Sequence, residues 1–525
     1  MPKIVLFLLT LVSNVLLAQQ QPEEQLIMLQ QNQSIEAFMR TVTQRSLNVS
    51  FQKTLSRNLN IHLVTTNNPE ALAKQQAVRF VEPNLPITWR NVPNDPRYDT
   101  QWALDTINAE YAWEYTTGGL TQHGDSIVCA VIDGSFYVNH EDLKDNIWHN
   151  RAEIPNNNID DDQNGFIDDY TGWQTVFNTD KHDYGNLSNH GTSVLGIIGA
   201  KGDNNTGVTG INWDIKLMLL SAHTGVEITK LANVIEAYNY ILDMRKRYNA
   251  SNGQEGAFVV STNASWGIDF AWASNHPIWC ALYDSLGAAG ILSVAAATNN
   301  DLNIDSKGDM PCSCPSDYLI AVSESSPYDQ QDGAYGERLV DLFAPAQSKT
   351  TRWSDFYGDF GGTSGASPHV AGAIALLYSY QNADWAAMIK QTPVKAALLV
   401  KSILLNSVDR KPTFAASVSR GRLNIGRAMQ QLVDYFATPS KGELLAMFPS
   451  PTSKELTLLA AIKEAGQHPL KIYNTAGQVV ALWTLDAEAP GIRRWHFDVE
   501  HLARGMYILE LETDGQKFTQ KFVKY

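Results

Sequence analysis

Cysteine is scarce in this chain, basic residues are outnumbered, and the one long apolar run lies at the start. Four cysteines among 525 residues permit at most two disulfides, and those only if the chain is exported. Lys and Arg total 40 against 55 Asp and Glu, a formal net charge of −15. That balance excludes nucleic acid or an anionic membrane surface as the main partner. Beyond the N-terminal segment no stretch reaches the about 18 unbroken apolar residues that a spanning helix needs, so no integral membrane segment is expected after that segment is removed. What is present is globular: 44% hydrophobic, 18% charged and 10% aromatic residues, enough for large cores. The length alone suggests about three or four domains.

The chain opens "MPKIVLFLLTLVSNVLLAQQQ", with one Lys, a short apolar run and Ala18 before glutamines. This is the pattern of a secretory signal peptide over residues 1–18, cleaved near Ala18. Cys129 lies inside the apolar run "IVCAVID" and is expected as a buried thiol. Cys280 can pair with Cys312 or with Cys314, and the spacing does not choose between them.

Residues 25–82 carry their own pattern. "QLIMLQ" is strand-like, and Ile35, Phe38, Met39 and Val42 follow helical spacing after Ser34. Leu47, Val49 and Phe51 alternate, as do Leu59, Ile61 and Leu63; Asn68-Pro69 then opens a second helix before "VRFVE". The order β-α-β-β-α-β predicts a small ferredoxin-like α+β module within residues 19–92. A proline-rich stretch, "EPNLPITWRNVPNDPRYDTQW", marks its boundary.

From residue 93 to 437 the texture changes. "IVCAVID", "IKLMLLS", "FVVSTNASW", "GILSVAAAT", "LIAVSES" and "LVDLFAP" alternate with helical stretches such as "ITKLANVIEAYNYILDM". Apolar strands separated by helices predict an α/β domain with a mostly parallel sheet covered on both faces. Functional groups gather at the carboxyl ends of such strands. After a linker at 438–445, residues 446–525 become β-rich, with Asp514-Gly515 as a hairpin turn, and predict a separate β-sandwich.

Four residues stand where a parallel sheet presents its chemistry. Asp133 ends "IVCAVID", where an acid can orient a catalytic base, although a turn or cap residue would look the same. His190 opens the helix implied by Val194, Ile197 and Ile198, whose positive end favours the neutral imidazole that a base requires. Asn299 follows "ILSVAAAT" and can donate to a developing oxyanion, although an ordinary turn Asn would look the same and Asn300 is equally eligible. Ser364 and Ser367 both lie in "GGTSGASPHVAGAIALLY", where Ser367-Pro368 alone would pass for a helix cap.

Taken together, in the order Asp, His, Asn, Ser, these segments resemble the subtilisin-like serine peptidases. The resemblance rests on "VIDGSFYVNHEDL", "HGTSVLG", "VAAATN" and "GTSGASPHVAG" and extends over roughly residues 94–435. It implies an endopeptidase that works through an acyl-enzyme, with Ser364 as nucleophile, His190 as base, Asp133 as orienting acid and Asn299 as oxyanion donor. Ser265, Trp266 and Gly267 on one side and Ala296, Ala297 and Thr298 on the other are then the implied substrate-binding walls. Protein or peptide substrates are expected, and no organic cofactor. Three departures stand out: Gly134-Ser135 for the usual Ser or Thr and then Gly, Gly365 for the usual Met, and Thr298 for the usual Gly. The last is expected to narrow the pocket towards small side chains. The competing class is a catalytically impaired, subtilase-like surface binding protein.

"NNNIDDDQNGFIDDY" places Asp160, Asp162, Asn164, the Phe166 carbonyl and Asp168 at positions 1, 3, 5, 7 and 9 of a calcium loop, with Gly165 at 6. Thr171 at position 12 lacks the bidentate carboxylate, so modest calcium affinity is expected. The N-terminal module resembles the inhibitory propeptide of such peptidases, making the chain's own propeptide an intramolecular inhibitor. The C-terminal stretch, from "FPSPTSKELTL" to "GMYILELETDGQKFTQKFVKY", resembles the sorting domain of type IX secretion cargo. That resemblance implies type IX secretion machinery as a partner, with export through the periplasm to the outer cell surface or the medium.

Overall fold

A computed structural model of the chain describes residues 23–84, 92–222, 230–437, 443–448, 452, 454–487, 491–513 and 515–524. The expected signal peptide, part of the proline-rich boundary, most of the expected 438–445 linker and Asp514 lie outside them.

The first of two compact units is described over residues 23–84. Its described part runs strand Glu23–Leu29, helix Ile35–Gln44, strands Val49–Ser56 and Ile61–Thr66, helix Pro69–Ala73 and strand Val78–Pro83. The strands lie side by side in the order second, third, first, fourth, all antiparallel. This is the ferredoxin-like arrangement that the periodicity predicts. Ser34 caps the first helix by accepting from the Ala37 N–H, Asn68 caps the second through Ala71, and Ile27, Phe38, Val42 and Val64 fill a small core.

The second unit, residues 90–525, holds a nine-stranded sheet and the C-terminal sandwich. From one edge the sheet reads Gly172–Gln174, Lys216–Ser221, Val128–Asp133, Val259–Ala264, Leu292–Ala296, Leu319–Ser325, Leu342–Pro345 and Gly421–Arg422, all parallel. Asp409–Arg410 closes the far edge antiparallel. Alternation sends Cys129 and Val131 into the core beneath one face, with Val194 and Ile374. Val128, Ala130 and Ile132 go to the opposite face, with Tyr238, Ile241 and Tyr283. Burial on both faces explains why these strands read as unbroken apolar runs. The helix Thr363–Tyr378 is apolar all round and almost entirely buried, which is why its sequence shows no polar stripe.

The sandwich has three strands in one sheet and four in the other, all antiparallel, around Leu456, Leu458, Leu470, Ile472, Leu509 and Leu511. Its first strand, Glu443–Phe448, begins within the stretch expected as linker. A disulfide joins Cys280 to Cys314, leaving Cys129 and Cys312 as buried thiols.

Candidate active site

Three elements deliver the candidate residues to one cleft. Asp133 is the last residue of its strand and is buried. Its Oδ1 accepts the Gly134 N–H at 2.7 Å and pairs with His190 Nδ1, also at 2.7 Å. Its Oδ2 is buried with no hydrogen-bond partner. The Gly134 backbone therefore fixes the carboxylate without help from the residue's missing side chain.

His190 is the second residue of the helix Asn189–Gly199. Burial alone would lower its pKa. The Asp133 carboxylate, through charge and hydrogen bond, outweighs burial and the nearby Arg352, and the ring is held above its ordinary 6.5. The sequence-based argument from the helix N-terminus pointed the other way, towards a ring favoured as neutral; the contact with Asp133 is the stronger influence. The ring stands edge-on to Phe360 at 5.1 Å between centroids.

Ser364 and Ser367 separate clearly. The helix begins at Thr363, after Gly362 at φ +72°, so Ser364 sits in the first turn and its N–H has no intrahelical acceptor. Its hydroxyl donates to the Ser265 carbonyl at 3.0 Å rather than to His190. Ser367 is fully buried one turn further on, not a cap, and meets Ser265 Oγ at 3.0 Å. Pro368 lies inside the helix and cannot donate to the carbonyl four residues before it. That carbonyl belongs to Ser364, and it accepts the Ser265 hydroxyl instead, at 3.0 Å. Gly365 has a steric reason: a Cβ there would stand 2.3 Å from the Ala346 carbonyl oxygen.

Asn299 lies beyond the strand Leu292–Ala296. Its Oδ1 accepts from the Thr363 N–H at 2.8 Å and the Thr363 hydroxyl at 2.9 Å. With the carbonyl end so engaged, the amide Nδ2 remains as the donor.

Two hollows meet at these residues. A cleft of about 560 Å³ runs past Asp133 and His190 between Leu231, Val234, Trp266 and Trp279. Trp266 is fixed there by its Nε1–H bond to the Ile132 carbonyl, at 2.7 Å, and by stacking on Trp279. A smaller hollow of about 220 Å³ opens beside Ser364 and Asn299, walled by Ser265–Gly267 and Ala296–Thr298. Every substrate-wall residue expected from the sequence lines it. Asp269 and Asp309 line it too, and neither was singled out from sequence. Burial pushes the Asp309 carboxyl up to about 7, aided by Asp269 and opposed by the Cys312 thiol and the Thr298 N–H. No periodicity or motif marks Asp309, since its placement depends on a two-residue ladder formed at a distance.

The acidic loop is distinct from this cleft. Glu153, Asp160 and Asp162 offer oxygens within 4.8 Å of one another. Two ligands of one calcium ion, each 2.3–2.6 Å from it, lie no farther apart than about 5 Å, so this donor set fits calcium. Asp168 is not in the group: its carboxylate accepts from the Asn157 and Asn158 N–H groups, at 3.0 and 2.9 Å. Asn164 turns its Oδ1 to the Phe166 N–H, and the Phe166 ring packs on Trp173 and Tyr240. Glu153 was missed because it precedes the loop by seven positions, outside the motif's spacing.

Residues 124–424, more than half of the chain, match the model of the subtilase family, and residues 446–525 match that of the secretion system C-terminal sorting domain. Subtilisin-like protease 1 of Plasmodium berghei (strain Anka) is 30% identical over 311 residues, which is 54% of this chain and 48% of that protein. A thermophilic serine proteinase of Bacillus sp. (strain AK1) is 28% identical over 335 residues, 62% of this chain and 70% of that one. The chain spans about half the length of the first of these relatives. A solved structure, the epidermin leader peptide processing serine protease of Staphylococcus aureus, aligns with a TM-score of 0.47 at 17% identity, over 78% of this chain and 99% of that one. With the strand-end acid and the helix-borne histidine on one cleft, the helix-opening serine on the hollow that shares its wall, and a family match over residues 124–424, the chain belongs to the subtilase family.

Proposed function

We propose that the chain is an exported serine endopeptidase acting through Asp133, His190 and Ser364. The observation that carries this reading is the 2.7 Å contact of His190 Nδ1 with a buried Asp133, in a cleft that shares its Ser265–Gly267 wall with the hollow beside Ser364 and Asn299. For the reaction the Ser364 hydroxyl leaves the Ser265 carbonyl and gives its proton to His190 Nε2 as Oγ attacks the peptide carbonyl. Asp133 holds the tautomer and offsets the imidazolium charge. The carbonyl oxygen, now negative, is met by Asn299 Nδ2 and the Ser364 N–H, both free to donate. His190 returns the proton to the leaving amine, and water then repeats the sequence on the acyl-enzyme.

The sorting domain at the C-terminus marks the chain for export to the cell surface or the medium. Type IX secretion machinery is its proposed partner, and the ferredoxin-like unit its proposed intramolecular inhibitor before maturation. Calcium is the proposed ligand of the Glu153–Asp160–Asp162 group. The test of the central reading is labelling by a fluorophosphonate together with casein hydrolysis. The wild-type protein is expected to show both and Ser364→Ala neither; an unlabelled, folded wild-type protein would point to a binding protein on this scaffold.

A further inference from the structure

The hollow beside Ser364 ends on two acids. Strand Ile268–Asp269 pairs antiparallel with Asp309–Met310, and the register sets Asp309 directly opposite Asp269. Residues opposite each other in such a ladder project to the same face, so the two carboxylates share one side of it. Asp309 is buried, its Oδ2 accepting the Thr298 N–H at 3.1 Å; Asp269 is exposed and accepts the Asn300 amide at 2.9 Å. Among the described residues no Lys or Arg ion-pairs with either. With no cation beside it, the buried Asp309 is pushed towards its neutral form by burial and by Asp269, and a cation entering the hollow would favour its charged form.

We propose that Asp309, with Asp269, makes this pocket select a cationic side chain, lysine or arginine, in the residue that contributes the scissile carbonyl. The inference rests on the peptidase reading for the position of that carbonyl, beside Ser364 and Asn299. The walls, Ser265–Gly267 and Ala296–Thr298, carry small side chains at every position but Trp266, whose indole is tied back by the Ile132 carbonyl and by stacking on Trp279, so an extended aliphatic stem can lie between them. The hollow, about 220 Å³, is far larger than an alanine or valine side chain fills. Thr298 lines the hollow, and its N–H donates to Asp309 Oδ2 at 3.1 Å, helping to hold that carboxyl in the wall.

The experiment uses the full chain, matured, on peptides that differ only in the residue before the scissile bond. Arginine or lysine there should exceed alanine, leucine and glutamine in kcat/KM by about 100-fold or more. Asp309→Asn should collapse that ratio to within about tenfold, and Asp269→Asn, at an exposed site that leaves folding safe, should reduce it in part. A wild-type preference for alanine or leucine, or a cationic preference undiminished in both variants, would overturn the proposal. A second measurement does not depend on catalysis. Benzamidine titrated calorimetrically into Ser364→Ala should bind saturably, and adding Asp269→Asn or Asp309→Asn should weaken it about tenfold or more. A folded Ser364→Ala protein that binds no benzamidine overturns the cationic pocket, whether or not the wild type cleaves casein. Benzamidine binding without fluorophosphonate labelling would keep the pocket and reject the peptidase reading.

Discussion

Two serines three positions apart have opposite roles to test. Ser364→Ala removes the attacking oxygen but leaves the Asp133–His190 pair and the Asn299 donor in place. Activity is expected to fall by several powers of ten, and the protein to accumulate as an uncleaved precursor if maturation is its own first turnover. Ser367→Ala deletes a buried hydroxyl bonded to Ser265, which keeps its bonds from Asn263 and to the Ser364 carbonyl. The loss is about 0.5–1.5 kcal/mol of stability, with casein hydrolysis retained. An active Ser364→Ala enzyme, free of host peptidases, would falsify the assignment. His190 adds a pH prediction. In the proposed mechanism only its neutral form accepts the Ser364 proton, and the ring is held above 6.5 in the free protein. The acid limb of kcat/KM is therefore expected to have its midpoint above 6.5, with activity rising as the ring deprotonates. Asp133→Asn removes the charge that raises it, so the midpoint should move down while the rate falls by about 10⁴-fold through the wrong tautomer. A midpoint that stays put in Asp133→Asn would mean that another group titrates.

At the scale of elements, what was legible in the sequence is what depends on local pattern. The six apolar runs became parallel strands because burial on both faces demands unbroken apolar residues. The caps at Ser34 and Asn68 were readable because a side-chain oxygen acts within three residues. What was hidden depends on distant partners. The strand Gly172–Gln174 is only three residues long and carries no periodicity. The choice of Cys314 over Cys312 follows from how the helix Pro277–Ala288 packs, with its Cys280 half of the bridge, against the segment after Asp309. Asp309 and Asp269 meet the site only through a ladder that joins positions forty apart. The acidic loop is an intermediate case, since spacing found Asp160 and Asp162 but not Glu153. Burial holds the Glu153 carboxyl above its usual range, opposed by the Asp162 and Asp161 N–H groups and aided by the charges of the same two residues, so an ion bound there would relieve repulsion as well as gain ligands. If calcium binds only the native state, saturating it at a hundredfold excess over Kd adds about 2.7 kcal/mol. A chelator is expected to lower the melting temperature of the wild-type protein, and Asp162→Ala to remove the part due to this loop. Equal chelator sensitivity in wild type and Asp162→Ala would reduce the loop to a solvated turn.

For the whole molecule the question is what the C-terminal sandwich contributes to the domain it follows. It has its own core, so the peptidase domain does not need it for a hydrophobic interior. The helix Ile425–Phe436 packs against the strand Gly491–Asp498, where the Arg493 guanidinium lies over the Tyr435 ring at 4.7 Å and donates to its carbonyl at 3.2 Å. The boundary matters for the test. The first strand starts at Glu443, so a truncation at 446 would leave half a strand with unpaired backbone groups, an invitation to aggregate. Removing 438–525 takes the whole sandwich. The shortened protein is expected to fold, to label with fluorophosphonate and to hydrolyse casein at close to the full-length rate. In a host that exports through type IX secretion it is expected to remain in the periplasm, while the full chain reaches the surface or medium. The two readouts separate the possibilities. An active protein stranded in the periplasm assigns the sandwich to sorting alone. Normal export of the truncated chain would remove sorting from its role and leave substrate or surface binding to be tested in its place.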